Sequence, residues 1–402
     1  MFAFVMLTLA LTAVDPPGTT PSRDPEIVII GKRIDDARAK LAACLARHCS
    51  PKEDIDATLA LAEVQLLEGD YDHARQSLQE SIRRNRNAGD EYALRLSDLY
   101  RANGRVAAHL GIDSDYYRSA YAALDAVKRG TDDGDYRRFM ARIDIAEMLA
   151  ETHDHEWARN YYEDIAKDAR KAGRPDIAAL AELRSFIRHY PEGPDRTKGI
   201  ERIAAMTDPS LRAAALEAKL ALARVAFEKG DENLARAIMD DLAALRIRNP
   251  ILVYAPPFQL AQEEQPNGSM FDVKLNAGGG GGGYSITHNL PTGRWSITNR
   301  IPEQVDDMWI DVTFQIAADG TVRNAKIARS RGELYWTKPL MKSIEGRRYT
   351  PAVEGSPGSF RKERYTYTAA LQKQSGTKMV GRSPKARIEY LDLSPSGLSR
   401  DD

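Results

Sequence analysis

Apolar residues recur at three- and four-residue spacing from residue 34 to residue 245, in a stretch rich in Ala, Leu, Arg and Glu. This spacing places the apolar side chains along one face of a helix, so it predicts a series of amphipathic helices. Helices of about 12 to 20 residues that short turns join stack as antiparallel hairpins. We therefore predict an all-α array over residues 34–249. Turn and helix-stop signals divide it at Gly69-Asp70, Gly104, 130–134, 173–175, 191–194 and Gly230-Asp231.

Two of these turns share one arrangement of residues. A glycine precedes an acidic residue, and an alanine follows five positions after the glycine; a third turn keeps the alanine and lacks the glycine. This arrangement resembles the central turn of tetratricopeptide repeats, where a small residue is needed because the partner helix crosses there. The resemblance implies a helical-hairpin array that offers a concave surface to a protein partner. The residues that carry it are Gly69, Tyr71, Ala74, Ala158, Gly230 and Ala235.

The character of the chain changes after Pro250, where prolines, an Asn-Gly pair and a glycine run at 278–283 replace the helical pattern. Backbone entropy opposes a compact core in such a run. We predict a linker over residues 250–302. A short hairpin between residues 284 and 300 is an open alternative within it.

Alternation of apolar and polar residues returns at 309–316 and 321–328, on either side of a turn that contains Asp319-Gly320. This pattern predicts a β-hairpin. A helical segment at 336–344 and a strand at 364–371 follow. The order strand, strand, helix, strand predicts a small α+β module with an antiparallel sheet over residues 303–375, so the whole chain is an α+β multidomain protein. Residues 376–402 are expected to be a disordered tail.

This module resembles the TonB C-terminal domain family. The hairpin carries the resemblance together with a closing element in which an aromatic residue and a proline follow the helix; the matching residues are Asp319, Gly320, Arg347, Arg348, Tyr349 and Pro351. The resemblance implies that an extended segment of a TonB-dependent outer-membrane receptor, or of another envelope protein, adds as a strand to the open edge of the sheet, in TonB-dependent transport. The edge strand expected to dock it is Arg364, Tyr365, Thr366, Tyr367, Thr368 and Ala369. Basic residues beside this strand are equally explained as protection of an edge against aggregation.

The N-terminus predicts export. Residues 1–13 form an apolar run that ends before Asp15 and two prolines, as in a secretory signal peptide. The run is too short to cross a membrane, which takes about 20 apolar residues, so no integral span is expected in the mature chain. Residues 14–33 are an extended leader, in which residues 24–33 are similar to the acidic-then-aliphatic box of TonB-dependent receptors; an ordinary leader is the alternative. We expect a periplasmic protein.

The chain has two cysteines, Cys44 and Cys49. Residues five apart in an unbroken helix are separated by roughly 8.5 Å at Cα, which is beyond the reach of a disulfide. Pro51 forces Ser50 out of the helical region, so the chain can turn back near Cys49. A disulfide at a helix end is therefore feasible in an exported protein. Two buried free thiols are the alternative.

Charge and motifs argue against other classes of function. The 57 basic and 58 acidic residues nearly cancel, so no long-range field favours nucleic acid. An enzyme or metal-dependent hydrolase in the helical half is an alternative, with His153, His155 and Glu156 as its candidate residues, although position 159 is Arg where the zinc-protease helix needs its second His. We expect a non-enzymatic interaction protein without cofactor, with a structural envelope scaffold as the further alternative.

Overall fold

The computed structural model describes residues 31–151, 155–189, 194–244, 249–257, 287–289, 295–297, 308–351, 359–373 and 380–394. The predicted fold class is confirmed in outline: the N-terminal part is helical, and a small antiparallel sheet lies in the C-terminal part. The helices of the first part are α1 (Gly31–Ala46), α2 (Pro51–Glu68), α3 (Tyr71–Asn85), α4 (Ala93–His109), α5 (Asp113–Arg129), α6 (Tyr136–Glu151), α7 (His155–Lys171), α8 (Pro175–His189), α9 (Pro194–Ala204), α10 (Arg212–Lys229) and α11 (Glu232–Ala243).

Consecutive helices pack side by side because short turns join them and each keeps an apolar face. Among the described residues, five buried clusters follow one another along the array, from α2 to α5, from α5 to α7, from α6 to α8, from α8 to α10 and from α10 to α11. None of the described helices is both long enough and apolar enough to cross a membrane.

The turns of the array follow the sequence pattern closely. Gly69 ends α2 and Gly230 ends α10, and both have left-handed backbone conformations with φ of 75° and 72°. The alanines predicted at the crossing points, Ala74, Ala158 and Ala235, are completely buried. The two glycines therefore end helices, and the three alanines are buried among packed helices.

A disulfide and a helix cap lie at the turn between α1 and α2. Cys44 near the end of α1 is bonded to Cys49, and their Cα atoms are 5.2 Å apart. Ser50 then caps α2: its side chain accepts a hydrogen bond from the Glu53 amide, and the Glu53 carboxylate accepts one from the Ser50 amide. The helix pair α1–α2 is thus fixed both covalently and by a capping box.

The strands of the second part are β1 (Leu252–Tyr254), β2 (Thr287–Asn289), β3 (Trp295–Ile297), β4 (Trp309–Ile316), β5 (Val322–Arg331), β6 (Arg348–Tyr349), β7 (Phe360–Lys373) and β8 (Val380–Asp392), with helix α12 (Thr337–Glu345) between β5 and β6. The four long strands form one antiparallel sheet in the order β5-β4-β7-β8. The hairpin considered within the linker is present as β2 and β3, which pair in antiparallel register.

One face of this sheet packs on α12. Alternate residues of β4 from Ile310 to Ile316 point to this side and are buried, and they meet Trp336, Leu340 and Ile344. Tyr349 lies in the same cluster, so it fills the core beneath the helix. The apolar positions in the alternating pattern of β4 therefore correspond to the face that packs on α12. The other face of β4 is also partly buried.

Three of the predicted boundaries are wrong. Residues 380–392, expected in a disordered tail, form β8 and pair with β7 along most of its length. The linker does not begin at Pro250, because β1 pairs with β6 and Val253 is completely buried. Gly31, expected in the extended leader, begins α1. The signal-peptide segment and the rest of the leader lie outside the described residues.

Gly69 offers a sharp test of the close approach between array and sheet. A Cβ on Gly69 would overlap the indole of Trp309, whereas a Cβ on Gly230 would meet no atom within 4 Å. Both glycines have a left-handed backbone, so replacement by alanine costs about 1–2 kcal/mol at either position. We expect Gly69→Ala to lower the free energy of unfolding by about 1–3 kcal/mol more than Gly230→Ala, because only Gly69→Ala also overpacks the interface. Urea unfolding of both variants checks this; equal losses would contradict the close approach.

Candidate functional site

The second face of the sheet, here called the array face, is polar and lies against the first helices of the array. Asp311 on β4 and Arg364 on β7 are opposite each other in the strand register and are both fully buried. Arg364 donates two hydrogen bonds to the Asp311 carboxylate, from Nε at 2.6 Å and from Nη2 at 2.9 Å. A bidentate pair of this kind satisfies both charges and fixes their orientation.

Arg364 also joins the sheet to the array. Its Nη1 atom donates at 2.9 Å to the carbonyl oxygen of Leu66 near the end of α2, which also accepts a hydrogen bond from the Gly69 amide. Its guanidinium carbon lies 3.9 Å from the centre of the Trp309 ring. A single side chain therefore contacts the partner strand, a helix end and an aromatic ring.

Thr366 is the next residue of β7 on the array face, and its hydroxyl contacts two side chains of the array. Its hydroxyl lies 2.6 Å from the Tyr71 hydroxyl and 3.1 Å from His109 Nδ1. The rings of Tyr71 and His109 stack with their centroids 5.0 Å apart. A hydroxyl can donate to one of these partners and accept from the other, so all three buried groups are satisfied together.

β8 and β5 extend the same interface on either side. Arg387 of β8 donates to Asp113 at the start of α5 and to the carbonyl oxygen of Ala108 at the end of α4, both at 2.9 Å. It also donates to Glu389 on its own strand at 2.7 Å. On the other side, Arg329 of β5 donates to Glu68 of α2 at 3.2 Å. The array therefore presents helix ends, and the sheet presents arginines.

Burial shifts the pKa values of two groups here. Loss of water around His109 lowers its pKa to about 3, and the nearby guanidinium groups of Arg105, Arg364 and Arg387 lower it further in the same direction. Burial raises the pKa of Glu389, and Arg387 opposes this shift. His109 is therefore neutral in the folded protein at physiological pH.

A second buried network lies on the α12 face. Arg347 donates to Glu363 at 2.7 Å and to the Tyr349 hydroxyl at 3.3 Å. The same carboxylate accepts from the hydroxyls of Tyr365 and of Tyr390, the latter at 3.1 Å. Burial raises the pKa of the Tyr349 hydroxyl, and it raises the pKa of the Tyr365 hydroxyl well above the ordinary tyrosine value. This network attaches β8 to β7 and to the segment after α12.

The far end of the array is attached to the sheet module as well. The carbonyl oxygen of Val253 in β1 accepts a hydrogen bond from Arg224 of α10 at 2.9 Å. Two residues earlier in the chain, the Ile251 carbonyl oxygen accepts a hydrogen bond from the Thr350 amide at 2.8 Å, beside β6. The module therefore contacts α2–α5 through its array face and α10 through β1.

The other residues that carry the resemblance to the TonB family lie in the β4–β5 turn and in or beside β6. Gly320 has a φ of 78° in the β4–β5 turn, and its carbonyl oxygen accepts from the Tyr349 amide at 2.8 Å. The Asp319 carboxylate accepts from the amide and hydroxyl of Thr321 in the same turn. Arg348 lies in β6, and Pro351 follows that strand at a half-buried position.

The predicted docking edge is wrong. Residues 364–369 belong to β7, which pairs with β4 on one side and with β8 on the other. Arg364, Tyr365, Thr366, Thr368 and Ala369 are buried, and Tyr367 is half-buried against Trp336. An incoming strand would have to displace β8 together with the contacts of Arg387 and Tyr390. The cause of the error is that β8 was assigned to a tail.

The outer strands carry features that discourage strand addition. β5 has two register shifts against β4, and Asn324 at one of them has a φ of 55°. β8 contains Pro384, beside a register shift between Ala369 and Leu371. Bulges and prolines on edge strands hinder pairing with another chain.

A metal site in the described part of the chain would require a cluster of metal-ligating side chains. Within that part of the chain, no group of three or more His, Cys, Asp or Glu residues is close enough to hold a metal ion. His155 and Glu156 begin α7, and Glu156 is exposed. His153 lies outside the described residues.

Large apolar side chains are exposed on the central helices of the array. Trp157 on α7 is 64% exposed and Tyr136 at the start of α6 is 54% exposed. Ala158, next to Trp157, is completely buried in the cluster between α5 and α7. The core of these helices is therefore complete without the indole, which faces outward.

No protein-family model and no curated protein matches the chain. Among solved structures, the crystal structure of BtubC (BKLC) from P. vanneervenii is similar with a TM-score of 0.43 and 17% identity, over 60% of this chain and 100% of that one. The crystal structure of a Rap protein complexed with competence and sporulation factor gives a TM-score of 0.34 and 14% identity, over 55% of this chain and 65% of that one. Likenesses this distant carry no argument about function.

The Asp311–Arg364 pair should dominate the stability of the interface. Removal of one partner leaves a buried charge uncompensated, which typically costs 3–5 kcal/mol. We therefore expect Arg364→Met to lower the free energy of unfolding by about 3–5 kcal/mol, and Arg364→Met combined with Asp311→Leu to recover part of that loss. Chemical denaturation measures both, with the exposed Lys338→Met as control. A loss below about 1 kcal/mol for the single variant would contradict the burial.

His109 should make stability depend on pH. The unfolded chain protonates this histidine below a pKa of about 6.5, while the folded protein resists protonation until about pH 3. Acid therefore favours the unfolded state, and the contribution is a loss of about 2 kcal/mol between pH 7.5 and pH 5. We expect His109→Gln to remove that part of the loss. Urea unfolding at the two pH values checks it; an unchanged pH dependence in His109→Gln would contradict a neutral, buried His109.

Proposed function

We propose that this protein is a protein–protein interaction scaffold of the bacterial envelope, in which the helical array binds the partner and the C-terminal module closes and braces the array. The observation that carries the proposal is the position of the sheet: α12 covers one face, α2–α5 cover part of the other, and β8 fills the edge of β7. A module held in this way stabilises the array. The exposed surface of the array is then the place for a partner.

Several features support an envelope location. The apolar run at residues 1–13 has the character of a signal peptide. The bond between Cys44 and Cys49 belongs to proteins that fold in an oxidising compartment. We propose that the protein is exported to the periplasm.

We also propose that the module is a distant member of the TonB C-terminal group. The order β4, β5, α12, β7 agrees with that of the family, as do the turn at Gly320 and the buried Tyr349. Strand addition by an outer-membrane receptor is not carried over, because β8 occupies the edge of β7 that it would need. Partner recognition is placed on the array instead.

Trp157 is the residue with which to test partner binding. An exposed indole on a helical surface is the kind of side chain that becomes a binding hot spot, and its truncation typically weakens binding by about 30-fold or more. We expect Trp157→Ala to retain the stability of the full chain and to lose binding to a partner that the unaltered chain captures from its own envelope fraction. Affinity for that purified partner is the measurement.

Leu234→Ala on α11 is the matched control, because Leu234 is 50% exposed on another part of the array. It should leave the affinity unchanged. Equal affinities of Trp157→Ala and Leu234→Ala would contradict a partner site at α7. Deletion of the module is not a suitable test, since α2–α5 and α10 would lose the contacts that bury their ends.

A further inference from the structure

The array face of the sheet continues beyond the area that the array covers. Cross-strand pairing arranges this face in rows, and the rows that contain Trp309 and Asp311 lie under the array. In the next row Thr313 stands between Lys326 and Lys362. In the one after that, Gln315 stands between Arg323 and Phe360. These two rows form an open end of the face, which we call the cationic strip.

The strip differs in charge from the covered rows. Arg323, Lys326 and Gln315 are exposed, Lys362 is half-buried, and Phe360 is 37% exposed. Within the described part of the chain none of its three cations takes part in an ion pair, whereas Arg364 and Arg329 in the neighbouring row have Asp311 and Glu68.

Among the described residues, Asp319 is an acidic residue near the strip. Asp319 in the β4–β5 turn has a lowered pKa, chiefly through the two hydrogen bonds from Thr321, and Arg323 lowers it further. Asp319 is thus already engaged by the turn. The strip keeps a net positive charge.

The spacing of the strip fits an extended acidic chain. Neighbouring strands lie about 4.8 Å apart, so Lys326 and Lys362 are separated by about 10 Å across β4 at their backbones. Arg323 lies in the adjoining row, about 7 Å along the strands. In an extended peptide every second side chain points the same way, with a repeat of about 6.6 Å. Carboxylates at alternate positions can therefore reach successive cations.

We propose that the cationic strip binds an acidic, extended segment of a partner protein, held by side-chain charge on the face of the sheet and not by main-chain pairing at its edge. Charge complementarity carries this choice of occupant. Single-stranded nucleic acid is the poorer fit, since it needs several aromatic side chains for base stacking and the strip has Phe360 alone. The site is separate from the surface around Trp157.

A fluorescent eight-residue peptide of alternating Asp and Thr tests the proposal against the full chain by fluorescence anisotropy. Each exposed ion pair contributes modestly to binding, so we expect Lys326→Ala combined with Lys362→Ala to weaken binding about tenfold. Binding should also fall as salt rises. Lys338→Ala is the matched control, an exposed lysine of α12 beyond the other face of the sheet. It should leave the affinity unchanged.

Three outcomes would overturn the proposal. The first is equal binding of the Asp–Thr peptide and of a peptide with Asn in place of Asp. The second is an oligothymidine that binds at the strip while the acidic peptide does not. The third is a peptide that binds only after residues 395–402 are removed, since the occupant is then the chain's own acidic end at Asp401 and Asp402. Circular dichroism of each variant distinguishes loss of the site from loss of the fold.

Discussion

The buried pair between Asp311 and Arg364 is the constraint on which the rest of this structure depends. Both side chains are removed from water, and the desolvation of two charges is tolerated only where geometry is good and the remaining donors are used. Arg364 meets that condition by donating a further hydrogen bond to the Leu66 carbonyl oxygen near the end of α2. The sheet and the array therefore satisfy each other: without the helix end, the guanidinium would keep an unsatisfied donor in an apolar setting.

The other contacts across the interface follow the same logic. The C-terminal end of a helix carries a partial negative charge, and the sheet supplies arginines to it. The carbonyl oxygens of Leu66 and Ala108 at the ends of α2 and α4 accept from Arg364 and Arg387. This is why the module contacts the turn side of the helical hairpins. Because β1 attaches the module to α10 as well, the module contacts both the first helices and the late helices of the array.

Most of the fold could be predicted from local pattern, and the interface could not. The periodicity of apolar residues and turns such as those at Gly69 and Gly230 predict the helices. The alternation of apolar and polar residues around Gly320 predicts the β4–β5 hairpin. β8 has basic residues and a proline where a strand usually has apolar ones, so its sequence looks like a solvated tail. Its order comes from partners far away in the chain.

The same limit applies to the site. Asp311 and Arg364 are 53 residues apart, and Arg364 and Leu66 are 298 apart. From the sequence alone, Arg364 looked like a basic residue beside an exposed edge. The only pattern in the sequence that concerns this site is the set of polar residues on alternate positions of β4. Such residues face either water or a polar partner, and the pattern does not show which. In the structure, helix ends of the array cover them.

Hydrogen exchange of the backbone amides in β7 and β8 tests the central claim most directly, namely that the sheet is closed by β8 and braced by the array. The account predicts slow exchange at residues 364–369 and 387–391, with opening free energies close to that of global unfolding and to those of α2 and α4. Fast exchange of β8 and of the outer side of β7, with the array still protected, would contradict it.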